Sequence, residues 1–197
     1  MSDFSTVTSR HAYRGFSSVR LDEVTGPGGR FQREVVEHPD AVAIVALDGA
    51  GRAVVVRQYR HPLGQELLEL PAGTLDVEGE APVDAAHREL AEEVGLAADA
   101  LEPLGTVWNS AGWSDERTLL FLARRTRPTA APHGYTPRDE EAVMRAEWHP
   151  LEDLATAALD GRIEDAKTAI GVLRARAVLA GGAREVGPDD GADDATD

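Results

Sequence analysis

Cysteine is absent from the 197 residues. Its absence excludes disulfide frameworks, Cys-ligated zinc, iron–sulfur clusters and Cys nucleophiles. Lysine is nearly absent: Lys167 is the sole lysine among 20 basic residues. Positive charge of any kind is scarce, because 35 acidic residues leave a net charge of −15 and a pI of about 4.7. Such a surface repels phosphate backbones, so no nucleic-acid partner is expected, whereas divalent cations are concentrated by it. No run of about 18 apolar residues occurs, so no transmembrane helix and no membrane partner are expected. The segment Met1-Ser2-Asp3-Phe4-Ser5 lacks a basic n-region and an apolar h-region, so it does not read as a secretory signal, and a cytoplasmic location is expected. The six histidines show no metal-ligand spacing, and no Gly-x-x-x-x-Gly-Lys-Ser/Thr loop is found. A zinc site and a P-loop nucleotide site are therefore not expected.

What remains is an ordinary globular mixture, 42% hydrophobic and 28% charged. Three zones are expected. Residues 1–36 read as strands around a turn: Ser18–Val24 and Phe31–Val36 alternate, and Gly26-Pro27-Gly28-Gly29 turns the chain between them. Residues 37–181 read as one domain. Residues 182–197 are acidic and nearly devoid of apolar groups, and read as a disordered tail. Within the domain, Ala41–Leu47 and Val54–Gln58 read as a hairpin over Asp48-Gly49-Ala50-Gly51, with Leu67–Leu70 as a further strand stopped by Pro71. Ala81–Val94 reads as a helix with Val83, Ala86, Leu90 and Val94 on its core stripe. Pro82 and Asp84 suit its first turn, and Gly95 suits its αL stop. Strands are expected at Leu104–Trp108, Thr118–Ala123 and Val143–Trp148, the last two separated by a charged, Pro-rich loop at 126–141. Helices are expected at Leu151–Leu159 and Ala166–Leu179. The expected fold class is α/β with a mixed sheet, an α/β/α sandwich; the regular βαβα alternation of a dinucleotide fold is absent.

The chemistry concentrates in Gly73–Leu96, GTLDVEGEAPVDAAHRELAEEVGL. Glu89, Glu92 and Glu93 fall on one helix, with Glu89 and Glu93 a turn apart. Half-buried carboxylates about 6 Å apart repel by about 3 kcal/mol per pair at an effective dielectric of about 20. Arg88 is the only cation nearby in sequence. Two readings compete on clustering alone: a solvated acidic face, or hard oxygen ligands whose repulsion Mg²⁺ or Mn²⁺ relieves.

The order of letters goes further. Gly73, Glu80, Arg88-Glu89-Leu90-x-Glu92-Glu93-x-Gly95-Leu96 closely resembles the Nudix box, and five fixed letters in register arise by chance about once in a million positions. Six residues rather than five separate Gly73 from Glu80; the extra one lies in the loop before the helix, where an insertion is tolerable. The resemblance implies a Nudix-type sandwich. It implies that Glu89, Glu93 and the carbonyl of Ala72 bind metal, with Glu92 assisting as a further ligand or through a metal-bound water. It implies that Arg88 and Glu80, with Gly73 and Gly95, hold the loop–helix–loop together.

Three more segments resemble the ADP-ribose and nucleoside-diphosphate-sugar pyrophosphatase group: Gln58-Tyr59-Arg60, Leu68-Glu69-Leu70-Pro71-Ala72-Gly73 and Ala111-Gly112-Trp113-Ser114-Asp115-Glu116. They imply that Arg60, Glu69 and Glu116 meet the substrate, with Glu69 alternatively at the metal. The loop segment Arg138-Asp139-Glu140-Glu141-Ala142 stands where such enzymes place a catalytic base, which implies Glu141 first and Glu140 next. The expected activity is Mg²⁺- or Mn²⁺-dependent hydrolysis of a nucleoside diphosphate-linked small molecule, led by ADP-ribose going to AMP and ribose 5-phosphate. Ala111 stands where proline is usual in ADP-ribose hydrolases. That keeps other sugar nucleotides, dinucleoside polyphosphates and nucleoside triphosphates open as substrates. A non-catalytic ligand sensor is the alternative of a different class, against which the intact carboxylate set speaks. By the same resemblance a homodimer is expected, with the N-terminal strands crossing to the partner.

Overall fold

Residues 3–181 are described by a computed structural model, and they begin with three strands that form a sheet of their own. Strands β1 (Ser5–Arg14), β2 (Ser18–Gly26) and β3 (Gly29–Glu37) run antiparallel in the order β1-β2-β3. Pro27-Gly28 makes the two-residue turn, with Gly26 paired to Gly29, whose φ of 98° only glycine adopts without strain. The outer strand β1, which local pattern alone did not reveal, is exposed along nearly its whole length. The expected acidic tail lies outside the described residues.

The second sheet supplies the core. It contains β4 (Ala41–Leu47), β5 (Arg52–Arg60), β6 (Gln65–Glu69), β7 (Ala72–Thr74), β9 (Glu102–Trp108), β10 (Arg117–Ala123) and β12 (Arg145–Pro150). Its path is β12-β5-β4-β10-β9, with β6 on β5 and β7 on β4. Only β4 and β10 pair in parallel, so the sheet is mixed, as expected. From Val42 to Ala46 the strand β4 is completely buried, because both of its faces are covered. Ala43, Val45 and Leu47 point into one core, and Val42, Ile44 and Ala46 into the other, following the two-residue period of a strand.

Helix α1 (Pro82–Val94) covers one face through Ala85, Ala86 and Leu90. Val83, expected on the core stripe, lies in the first turn and is 38% exposed, and Ala85 takes its place. Helices α2 (Leu151–Leu159) and α3 (Ala166–Leu179) cover the other face. At Gly171 a Cβ would come within 2.6 Å of the Leu70 side chain, so glycine lets α3 lie close to the sheet. The result is the α/β/α layering that the alternation of elements implies.

Three local differences from expectation follow, two of them from strand pairing over long sequence distance. The 126–141 loop carries β11 (Thr126–Pro128), which pairs with β8 (Leu96–Ala98), and a 3₁₀ turn at Asp139–Val143. That turn delays the strand expected at Val143 until Arg145. The hairpin of β4 and β5 pairs only at Ala46–Val54 and Leu47–Ala53. Beyond that β5 turns to β6, and β4 to β7. This splay carries Gln58 and Arg60 at the end of β5 to a large cleft.

Candidate active site

The cleft, about 800 Å³, is the size of a small-molecule site. Its floor is built by the contact of β7 with α1. The first turn of α1 has Pro82 inside it and Asp84 near its positive end, and Gly95 closes the helix at φ 61° with its N–H on the Ala91 and Leu90 carbonyls. At 100° per residue, Glu89 and Glu93 project from the same inward side of α1 as Ala85, Ala86 and Leu90, with Glu92 at its edge, and all three line the cleft.

Arg88 organises these carboxylates. Its Nε and Nη2 fork onto Glu80 at 3.0 and 2.9 Å, while Nη1 donates to Glu89 and, at 2.9 Å, to Glu92. One guanidinium thereby offsets part of the repulsion and ties the preceding loop to the helix. Glu80 is held below the usual carboxylate range by the Arg88 hydrogen bond. Glu93 accepts a hydrogen bond from the Ala72 backbone N–H at 2.9 Å. Gly73 is required by close approach: a Cβ there would sit 2.0 Å from Cδ of Glu89.

Burial dominates the electrostatics of this wall. Glu93 is pushed up to about 8 by loss of solvation, aided by the neighbouring charges of Glu89 and Glu141 and opposed by the Ala72 hydrogen bond. Glu89 is pushed up to about 6 by loss of solvation, with Arg88 opposing. Among the described residues no three acidic or histidine side chains are already drawn together at metal-ligand spacing. The donor set nevertheless fits a hard divalent ion. It is all oxygen, and burial pushes up two of its carboxylates, Glu93 and also Glu89 despite the Arg88 contact, which a bound cation would reverse.

Elsewhere in the cleft two cations, Arg60 and Lys167, are paired with carboxylates. Arg60 at the end of β5 donates through Nε and Nη2 to Glu69, both at 2.7 Å. Glu69 is 1% exposed and also accepts from Lys167 at the start of α3. Burial alone would raise Glu69, but the Arg60 hydrogen bond and the Lys167 charge bring it below the usual range. Lys167 also donates to Asp165 at 2.9 Å, and Asp165 caps α3 through the Thr168 N–H at 2.9 Å. The Thr168 hydroxyl in turn accepts from the Leu70 N–H at 2.8 Å.

Of the residues singled out from sequence, Arg60, Glu69, Ala72, Gly73, Arg88, Glu89, Glu92, Glu93, Glu116 and Glu141 all line this one cleft. Glu80 sits behind Arg88, and Gly95 caps the helix. Glu140 lies apart, lining a smaller neighbouring cavity that Glu141 also borders. Glu141 accepts a hydrogen bond from the Tyr135 hydroxyl at 3.3 Å. Tyr135 is pushed up by burial and then by the Glu141 charge. Glu116 is placed by its loop, which β3 anchors: Val36 N–H donates to the Trp113 carbonyl at 2.7 Å, and Asp115 N–H to the Val36 carbonyl at 3.2 Å. Trp113 itself is 57% exposed.

Sequence reasoning missed Lys167, Asp165, Thr168 and Tyr135. One signal pointed to Lys167: it is the sole lysine. Nothing local pointed to Tyr135.

Comparisons with known proteins agree with this geometry. The family profile described as NUDIX domain matches residues 37–169. An ADP-ribose pyrophosphatase of Mycobacterium tuberculosis is 43% identical over 181 residues, covering 91% of this chain and 86% of that protein. An ADP-ribose pyrophosphatase of Bacillus subtilis is 34% identical over 153 residues, covering 77% and 80%. Among solved structures, one described as an ADP compounds hydrolase superposes with a TM-score of 0.78 at 22% identity, covering 93% of this chain and 98% of that one, which supports the fold.

Proposed function

The chain belongs to the Nudix family, and from that premise we propose that it is an ADP-ribose pyrophosphatase, hydrolysing a phosphoric anhydride to give AMP and ribose 5-phosphate. The observation that carries this reading is the cleft that gathers Glu89, Glu92, Glu93 and Glu141 with Arg60. It joins a cation-binding wall to a planar donor fork suited to phosphate. The substrate is a nucleoside diphosphate linked to a second moiety.

Enzymes of this family generally need a divalent metal. Glu89, Glu93 and the Ala72 carbonyl would hold it, with Glu92 beside them, and we infer Mg²⁺ or Mn²⁺ from the oxygen-only donors. When bound, such an ion neutralises the diphosphate and lowers the pKa of attacking water. The chain's own residues do the rest. Arg60 steadies a phosphate oxygen. Glu141, oriented by Tyr135, accepts the proton of the water whose oxygen joins phosphorus as the P–O–P bond breaks. Glu92 and Arg88 keep the carboxylate wall in place. Glu116, on its β3-anchored loop, meets the substrate at the rim.

We also infer a homodimer. Its support is the three-stranded sheet itself, whose outer strand β1 leaves Val7 and Tyr13 40% and 61% exposed. Sheets seldom stand uncovered on both faces. Light scattering of the full chain and of a chain lacking residues 1–14 checks this: a dimer that becomes monomeric supports it, and a monomeric full chain refutes it.

The decisive assay incubates the protein with Mg²⁺ and a panel of ADP-ribose, sugar nucleotides, dinucleoside polyphosphates and nucleoside triphosphates, with AMP and sugar phosphate separated chromatographically. ADP-ribose is expected to give the highest kcat/KM. Ala111 is the residue that favours a second reading, and equal or better turnover of another panel member would install it.

A further inference from the structure

Lys167 lies outside the box and outside the other site segments singled out from the sequence, yet it lines the cleft. We propose that Lys167 is a positioning residue for the diphosphate: it shares the buried Glu69 carboxylate with Arg60, and so keeps the Arg60 guanidinium both fixed in place and free in charge to receive a phosphate. The proposal rests on the pyrophosphatase reading above.

The geometry is specific. Both oxygens of Glu69 are engaged by Arg60, at 2.7 Å each, and the second also accepts from Lys167. Glu69 is 1% exposed, so it has no surface left for a substrate. Arg60 spends only Nε and one Nη2 hydrogen on it. Of the five guanidinium donors three remain, on a side chain that is 39% exposed. Lys167, by contrast, is 14% exposed and turned onto Glu69 and Asp165.

Charge makes the same point. Arg60 and Lys167 balance Glu69 and Asp165, so the four-residue cluster is neutral as it stands. Without Lys167 it carries one net negative charge, in a cleft already lined by Glu89, Glu92, Glu93 and Glu141. Arg60 would then be neutralised by Glu69 alone, and its charge would no longer be available to an anionic diphosphate.

The support is rigid. Asp165 caps α3 at Thr168, and the Thr168 hydroxyl holds the Leu70 N–H, one residue past Glu69 and two before Ala72. The ammonium is therefore referenced to the same segment that carries the box glycine.

The test is a double-mutant cycle of Arg60→Met and Lys167→Met in Mg²⁺ with ADP-ribose as substrate, together with Lys167→Arg and thermal unfolding of each variant. Lys167→Met is expected to raise KM by about 10- to 100-fold with kcat within about threefold. On the Arg60→Met background it should raise KM no further, because the two act as one unit. Lys167→Arg should return KM to within about fivefold of the parent, since charge is what it supplies. Two results would overturn the proposal: an unchanged KM in Lys167→Met with only a lower Tm, which marks a structural ion pair, or additive effects of the two replacements, which mark a direct contact of Lys167 with substrate. Should Lys167→Met fail to fold, Lys167→Gln is read by the same criteria. A parent protein that cleaves no ADP-ribose sinks the pyrophosphatase reading and this proposal with it, whereas a parent that cleaves it while KM ignores Lys167 sinks the proposal alone.

Discussion

Replacing Glu93 by glutamine tests the cation wall through stability as well as activity. In metal-free protein the Glu93 carboxyl sits at about 8, against an ordinary 4.5, chiefly because it is buried. Between those values the unfolded chain releases its proton before the folded one does. The folded state then holds more protons, and stability falls as pH rises through that window. At about 1.4 kcal/mol for each tenfold, the ceiling on this effect is about 5 kcal/mol. The part that falls between pH 5.5 and 8.5 is at most about 3 kcal/mol; coupling to Glu89 and Glu141 and partial hydration reduce it, and about 1–3 kcal/mol is expected. For a domain of this size that is a Tm lower by about 2–12 °C at pH 8.5 than at pH 5.5 in EDTA. Glu89, at about 6, acts in the same direction. Glu80 and Glu102, held low by Arg88 and Arg124, act only below the ordinary carboxylate pKa and leave this window untouched. In Glu93→Gln the slope should shrink by at least half. Magnesium at millimolar concentration should restore the parent's Tm at pH 8.5 and leave the variant's unchanged. Hydrolysis by the variant should fall at least about 100-fold. The assay is calorimetry or dye-monitored unfolding across pH, with and without metal. A metal-free Tm that is flat or rises from pH 5.5 to 8.5, or a variant with the parent's slope, refutes the reasoning.

Other substitutions probe neighbouring features. Gly73→Ala places a Cβ 2.0 Å from the Glu89 carboxyl carbon; it should cost about 1–3 kcal/mol in denaturant unfolding and most of the activity, since the carboxylate must move. Glu141→Gln should lower kcat by about 10²- to 10⁴-fold with KM held, while Glu140→Gln, which lies outside the main cleft, should stay within about threefold of the parent in steady-state assays. Leu90 is fully buried between α1 and the sheet, and Leu90→Ala should lose about 2–5 kcal/mol in urea unfolding.

Much of the fold was legible because its signals are local. The apolar run of β4, the 3.6-residue stripe of α1 with its Pro82 start and Gly95 stop, and the two closing helices are written in neighbouring letters. The strands β7 and β8 were not legible, because what holds each is a partner far along the chain: Val42 for Gly73, Arg127 for Ala97. The same division runs through the cleft. Residue order alone singled out Glu89, Glu92, Glu93 and Arg88, since a helix brings positions three and four apart onto one side without help. The purpose of Gly73 could be read only as a letter of a motif until β7 was seen lying against Glu89.

What the residue order determined by itself is the family, the sheet-and-helix class and the acidic helix, all of which depend on spacings of a few residues. What only the tertiary structure decided is how the other wall is made. Glu69 and Lys167 stand 98 positions apart and meet because α3 packs on the sheet beside β6. Glu141 reaches the box helix because a 3₁₀ turn folds back beside β5. A buried charge must find its counter-charge wherever packing delivers one, and no local periodicity encodes that meeting.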